Sequence, residues 1–234
     1  MATAVASIYN SNSSEVSRTN TAILSGETAA SWSWWIYRLE DKNLDEHYVL
    51  KWPAGTSAIF VFWKDFPGNL FIMDVAGLNA ATVLEMSSTS AMSVLAPPLG
   101  WYHFCVTWSV ANNFKLYVNG VNKSVVLRSG SSPASINTTQ ASSLYKVMRA
   151  HTNDRFMNGN MNDVQVFNVE LSVDKIQEIM SNPFSAPIYN CVSWMNLRQS
   201  SSPFDLITNT AITYNACVPS TDGGKVSSLY SFSN

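Results

Sequence analysis

Apolar and polar positions alternate with a period of two along Trp101–Trp108 and again along Phe114–Gly120, the spacing of strands with one face on a core. In the first run Tyr102, Phe104, Val106 and Trp108 share one face, opposite Trp101, His103, Cys105 and Thr107; in the second, Phe114, Leu116 and Val118 oppose Lys115, Tyr117 and Asn119. The polar break at Ala111–Asn113 and the closing Asn119–Gly120, which tolerates a type I′ turn, predict a hairpin that feeds a third strand, Val121–Leu127. The same pattern predicts strands over residues 30–39, 48–52, 57–63, 70–75, 81–86, 144–150 and 161–168, with low-contrast edge strands before residue 30. Turn residues Lys64–Asn69 join the third and fourth of these as a hairpin. Ser172 reads as an N-cap with Asp174 in the first turn, and Val173, Ile176, Ile179 and Met180 recur at helical spacing up to Asn182–Pro183. That is the single helix the pattern predicts.

The hairpin carries a resemblance. An aromatic pair and a His leading into Val106-Thr107-Trp108, a short loop, then Leu116-Tyr117-Val118-Asn119-Gly120 resembles the central hairpin of the laminin G-like, pentraxin and concanavalin A-like jelly rolls. Asn158 to Ser172 resembles that family's closing strand, with Asn162 standing where the first acid of a pair is usual and Asp163 retained. Val192–Leu197 followed by Phe204-Asp205-Leu206 resembles a segment that adjoins such domains. The resemblance implies an all-β, two-sheet antiparallel jelly-roll sandwich over residues 1–184, with one short helix. Residues 185–234 would form a C-terminal extension supplying a last strand and an arm.

Composition narrows the function. Of 234 residues only 13% are charged and 12% are aromatic, so Ser, Thr and Asn make up an uncharged polar exterior. A net charge of −2 gives no footprint for nucleic acid, and no run approaches the ~18 apolar residues of a membrane helix. The start, Met1–Ala6, lacks the basic and apolar regions of a secretory signal. Cys105, Cys191 and Cys217 fit no zinc spacing; Cys105 reads as a core thiol, and a Cys191–Cys217 disulfide stays open.

Candidate chemistry is sparse. His47, His103 and His151 form no local metal motif, and no hydrolase-elbow or phosphate-loop pattern occurs. His103, on a core strand beside Trp101, reads as structural. Glu40, Asp41, Asp45 and Glu46 form the densest acidic cluster and read as a solvated loop, although a glycosidase needs two carboxylates about 5–9 Å apart. The resemblance implies rim loops that could take calcium, for which Asn153, Asp154, Asn158 and Asp163 are the weak candidates. Trp52, Trp63 and Phe66, flanking turn-rich segments, are the candidate glycan platform, since a sugar's C–H face stacks on aromatic rings.

The expectation is a non-catalytic binding or structural protein, with no catalytic residues assigned and no cofactor required. Its first form is a virion surface component, a bacteriophage capsid decoration or attachment protein. It would contact other virion subunits, itself as a homo-oligomer or a cell-surface glycan, with Leu229, Tyr230 and Phe232 of the Ser/Gly-rich tail docking on a partner. The alternatives are a free-standing lectin-like carbohydrate-binding module and, last, a glycoside hydrolase or lyase.

Overall fold

A computed structural model describes residues 5–8, 15–18, 22–53, 59–77, 83–137, 143–148, 155, 157, 159–182, 190–195, 197, 205–215 and 218–220. In chain order the elements are β1 (Val5–Ile8), β2 (Glu15–Arg18), β3 (Ala29–Arg38), β4 (Glu46–Pro53), β5 (Phe60–Lys64), β6 (Leu70–Ala76), β7 (Val83–Ala91) and α1 (Met92–Leu95). Next come β8 (Gly100–Ser109), β9 (Asn113–Val118), β10 (Val121–Lys123), β11 (Val125–Gly130), β12 (Ser143–Val147), β13 (Gly159–Phe167) and α2 (Val173–Ser181). The last three are β14 (Cys191–Met195), β15 (Ile212–Asn215) and β16 (Val218–Ser220). Two antiparallel eight-stranded sheets result. The first runs β10-β9-β8-β3-β13-β1-β16 with β14 also on β13, and the second β11-β7-β6-β5-β4-β12-β2-β15. This is the predicted jelly-roll sandwich.

The core follows from the period of two. On β3 the Ser-Trp-Ser-Trp alternation turns Trp32, Trp34 and Ile36 inward, where Trp32 meets Phe60 at 5.1 Å and Trp34 lies between Phe62 at 5.6 Å and Phe104 at 5.9 Å. Ser31 and Ser33 face the other way. Ser31 Oγ donates to the Val169 carbonyl and accepts from the Leu171 amide, and Ser33 Oγ sits 2.8 Å from Nε2 of the fully buried His103. Over this outer face α2 packs Ile176 and Ile179 against Cys105, Tyr117 and Phe167, so the first sheet is covered on both sides. Ser172 caps α2 by accepting from the Lys175 amide, as predicted.

The hairpin forms as expected: β8 pairs with β9 from Phe104–Val118 to Ser109–Asn113, and β9 turns into β10 through Asn119 and Gly120, both at positive φ. The third strand does not run on to Leu127. The chain breaks at Ser124, leaving β10 in the first sheet while β11 crosses to the edge of the second against β7. A second, four-residue helix, α1, follows β7; it is too short to leave a periodic signal, and its Met92 and Leu95 are buried. The N-terminal strands are not edges, because β16 lies outside β1 and β15 outside β2. The segment beyond residue 185 thus contributes three strands to the described structure. Leu229, Tyr230 and Phe232 lie outside the described residues, as does Cys217, while Cys105 and Cys191 are free thiols.

Asp163 anchors that extension. It sits in a bulge of β13 at φ +56°, buried, and its Oδ1 accepts from the Trp194 indole on β14 at 2.5 Å. Next to it Ser193 Oγ donates to Asp205, whose other oxygen accepts from the Ile207 and Thr208 amides. Leaving the buried Asp163 carboxylate without its indole donor costs roughly 1–3 kcal/mol. Trp194→Phe is therefore expected to lower the unfolding free energy by that much in urea titrations, with a lower midpoint at unchanged m-value, whereas Val121→Thr, on an exposed turn strand, leaves it within error.

Candidate functional site

Two surfaces gather polar and aromatic side chains. The first is the end of the sandwich where β3 stops and β4 begins. Inward parity carries past Ile36 to Arg38 and past Phe62 to Lys64, and both cations are fully buried. Arg38 donates to the carbonyls of Ala96 (2.6 Å) and Met92 (3.3 Å), is ion-paired with Asp41, and lies 3.5 Å from Glu46. Lys64 donates to the Lys42 carbonyl and stands 3.8 Å from Glu46, whose Oε2 also accepts from the Tyr48 hydroxyl at 3.1 Å. Burial pushes the Glu46 carboxyl above the usual range against the opposing pull of Lys64 and Arg38. Above this cluster Glu40, Asp41, Lys42, Asn43 and Leu44 line an open hollow of about 530 Å³.

The acidic segment is therefore not a solvated loop throughout. Glu46 and His47 belong to β4, and Glu46 is buried because two inward cations neutralise it. Asp45 accepts from the Phe66 amide at 2.8 Å and pairs with Arg155 at 3.4 Å. Asp41, Asp45 and Glu46 each hold neighbouring chain in place.

The second surface is the outer face of the second sheet. With Phe60, Phe62, Phe71, Met73, Leu84 and Met86 in the core, the alternate residues lie on the opposite face of the sheet, where Val61 and Ile72 are buried and Trp63, Asp74 and Glu85 are partly exposed. Trp63, half-buried, stacks on His47 with ring centroids 5.6 Å apart, and its indole N–H donates to Asp74 Oδ2 at 3.3 Å. Asp74 pairs directly with Glu85 across β6 and β7. Glu85 is bound by Arg128 Nε at 3.1 Å, and Nη1 of the same guanidinium reaches Asp65 at 3.2 Å. Asp65 begins the turn that carries Phe66, which is 45% exposed. Burial, reinforced by the Glu85 charge, pushes the Asp74 carboxyl up to about 7. An aromatic ring, two carboxylates and a guanidinium thus lie along one sheet face, with Phe66 at its rim. That set can stack on a sugar and hydrogen-bond its hydroxyls.

Of the sequence candidates, Trp63 and Phe66 fall on this surface. Trp52 is on β4, but its side chain lies outside the described part. Asn153, Asp154 and Asn158 also lie outside the described residues. Asp163 is buried mid-strand with an oxygen on Trp194. Among the described residues no group of three or more His, Cys, Asp or Glu side chains is placed to hold a metal. Sequence reasoning missed Asp74, Glu85 and Arg128. Asp74 and Glu85 lie on predicted strands and Arg128 just beyond the predicted Val121–Leu127, and pairing register alone brings them together.

Two antiparallel sheets, a helix over one outer face and a polar aromatic surface on the other define a lectin-type jelly roll. Residues 10–177 match the concanavalin A-like lectin/glucanases superfamily, and the chain belongs to it. No curated protein sequence matches it significantly. Among solved structures it is similar to a candidate carbohydrate-binding protein from Bacteroides ovatus, at 13% identity and TM-score 0.66 over 94% of this chain and 60% of that one. It is also similar to the heptameric SAP-like pentraxin of Limulus polyphemus, at 11% identity and TM-score 0.58 over 91% and 93% of the two chains. A third likeness is to botulinum neurotoxin type C, whose cell entry depends on two ganglioside molecules, at 17% identity and TM-score 0.50 over 73% and 40%. At these identities the likeness is one of fold. The chain spans 60% of the length of the Bacteroides protein.

Two tests address the geometry. Glu46→Ala strands Arg38 and Lys64 without their shared carboxylate, and breaking a buried pair costs about 3–5 kcal/mol; Asp45→Ala, at the partly exposed rim, costs under ~1 kcal/mol by urea denaturation. The raised Asp74 value means that the folded chain keeps a proton which the unfolded chain releases, so Asp74 makes stability fall as pH rises between its ordinary value of 3.8 and about 7. Urea midpoints from pH 4 to 8 are expected to slope less in Asp74→Asn than in the natural chain.

Proposed function

We propose that the protein is a non-catalytic carbohydrate-recognition jelly roll whose glycan-contacting surface is the outer face of the second sheet around Trp63, extending to Phe66. The observation that carries this reading is Trp63 itself. A core Trp would face inward with Phe60 and Phe62, yet this indole faces away from them, half-buried, with its N–H on a carboxylate and a second carboxylate and a guanidinium within the same row of strands. The superfamily and the carbohydrate-binding description of the Bacteroides neighbour support the same class of ligand.

The proposed place of action is a virion surface, as a capsid decoration or attachment protein. What supports it is a Ser/Thr/Asn-rich exterior with few charges, suited to dense display, and a tail bearing Leu229, Tyr230 and Phe232 for docking on a neighbouring subunit. In density-gradient fractions of particles from the producing culture, the chain is expected to band with capsid protein. Its recovery only as free protein would remove the virion placement and leave a free-standing lectin-like module.

Glycan binding is tested on an array with the full chain. Specific hits are expected, and Trp63→Ala lowers affinity for them about tenfold, in line with the ~0.5–1.5 kcal/mol of an aromatic contact plus its area, while circular dichroism stays unchanged. Phe66→Ala costs less. An array without hits, or release of reducing ends from a bound oligosaccharide, would overturn recognition without turnover.

A further inference from the structure

We infer that the partner of the C-terminal tail is a second copy of this chain: residues 225–232 of one copy add as an extra strand to the free edge of β11 in its neighbour. This rests on the docking role proposed above for Leu229, Tyr230 and Phe232 and names the subunit on which they dock.

The acceptor is the side of the sandwich where β10 ends the first sheet and β11 ends the second. Residues directly opposite each other on paired strands share a face. Val121 stands opposite Val118 and Leu127 opposite Met86, and both of those partners belong to the core. Val121 and Leu127 therefore turn toward the inside of the sandwich, yet they are 56% and 61% exposed. The core runs out into solvent here, because among the described residues no strand lies beyond either of them.

The edge also offers a main chain. β11 has six residues, and the other strands that pair on one side alone among the described residues, β10, β14, β15 and β16, have three, five, four and three. Sheet edges are ordinarily blunted by charge, proline or cover. β11 opens with Val125-Val126-Leu127, and its one charged residue, Arg128, reaches back across its own sheet to Glu85 and Asp65. The register irregularity comes after Leu127, so the apolar run itself is regular. Such an edge takes an extended segment with apolar side chains at alternate positions.

The tail has that pattern. In its sequence Val226, Ser228, Tyr230 and Phe232 alternate with Ser227, Leu229 and Ser231, so a strand formed here presents both rings on one face. Those rings are what the opening beside Val121 and Leu127 lacks. The point of departure rules out the tail's own β11. β16 is the far edge of the first sheet, six strand spacings of about 4.8 Å from β10, or about 29 Å. From Ser220 to Lys225 the chain spans at most about 18 Å. A neighbour's β11 carries no such limit. Donor and acceptor are opposite sides of one molecule, so the contact is heterologous and repeats from copy to copy, as a closed ring or an open chain.

Two full-length variants separate the halves of the contact. Tyr230→Asp with Phe232→Asp disables the donor, and Val121→Asp with Leu127→Asp, both at exposed positions, disables the acceptor. In sedimentation velocity at rising concentration the natural chain is expected to form species larger than one chain, and each variant alone to self-associate at least about tenfold more weakly, as loss of central contacts does. Mixed, the two variants form a one-to-one dimer and nothing larger, since one keeps the edge and the other the tail. A natural chain that stays monomeric, a donor variant that still self-associates, or a mixture without dimers would each overturn the inference. A synthetic peptide of residues 221–234 is expected to dissociate the natural assembly, and its failure to do so overturns the inference even if a variant does not fold. If the natural chain is monomeric but bands with capsid protein, and the donor variant does not, the tail docks on a different subunit: the inference falls and the docking role stands. If the chain neither self-associates nor bands with capsid protein, both fall.

Discussion

The interlock of aromatic rings between the two sheets is the constraint from which the rest follows. Trp32 and Trp34 of β3 press into Phe60 and Phe62 of β5, and Phe71 meets Phe104 at 5.3 Å behind them. Each such pair contributes about 0.5–1.5 kcal/mol beyond the area it buries, and the rings cannot be exchanged for their opposite-face neighbours without unfolding. Since side chains alternate along a strand, fixing Phe60 and Phe62 inward also fixes Val61 and Trp63 outward, and a slip of one residue would invert both faces. The proposed recognition surface is the reverse side of the core.

The same parity explains the charged end of the sandwich. Continuing the inward row of β3 leads from Ile36 to Arg38, and that of β5 from Phe62 to Lys64, so two cations arrive where solvent is excluded. Desolvated charges demand partners. Glu46, Asp41 and the carbonyls of Met92, Ala96 and Lys42 provide them, drawing α1 and the β3–β4 loop down onto the rim. The densest acidic stretch of the chain is thereby committed to architecture, which removes it from the pool of catalytic carboxylates more firmly than its sequence context could.

How much of this was legible in the sequence depended on whether a feature was local. The Trp101–Gly120 hairpin, the inward and outward faces of β3 and β8, and the Ser172-capped helix were all readable, because alternation, an Asn-Gly turn and an N-cap are written within a few residues. The crossing at Ser124 was not, since a chain passing from one sheet to the other keeps its β-forming composition throughout. Glu46 was misread for a related reason: its neutralising partners lie 8 and 18 residues away in sequence, on other strands. Trp63 and Phe66 could be singled out from the turn beside them. Asp74, Glu85 and Arg128 could not, as only the registers of β6 with β7 and of β7 with β11 set them side by side.

Fold alone does not choose between holding and cutting, for the superfamily takes its name from lectins and glucanases alike. The choice lies in how each carboxylate is engaged. A retaining glycosidase needs one carboxyl poised as acid and another free to attack the anomeric carbon. Here Asp74 carries a proton near neutrality, but the neighbouring Glu85 is clamped by a guanidinium that also ties down Asp65. A carboxylate stabilised in this way is a poor nucleophile, because its negative charge is already balanced and attack would have to break the ion pair. The arrangement stabilises charge at rest without building it up along a reaction coordinate, and catalysis requires interactions that strengthen in the transition state. Under the proposed function, binding energy at this surface goes into the ground-state complex.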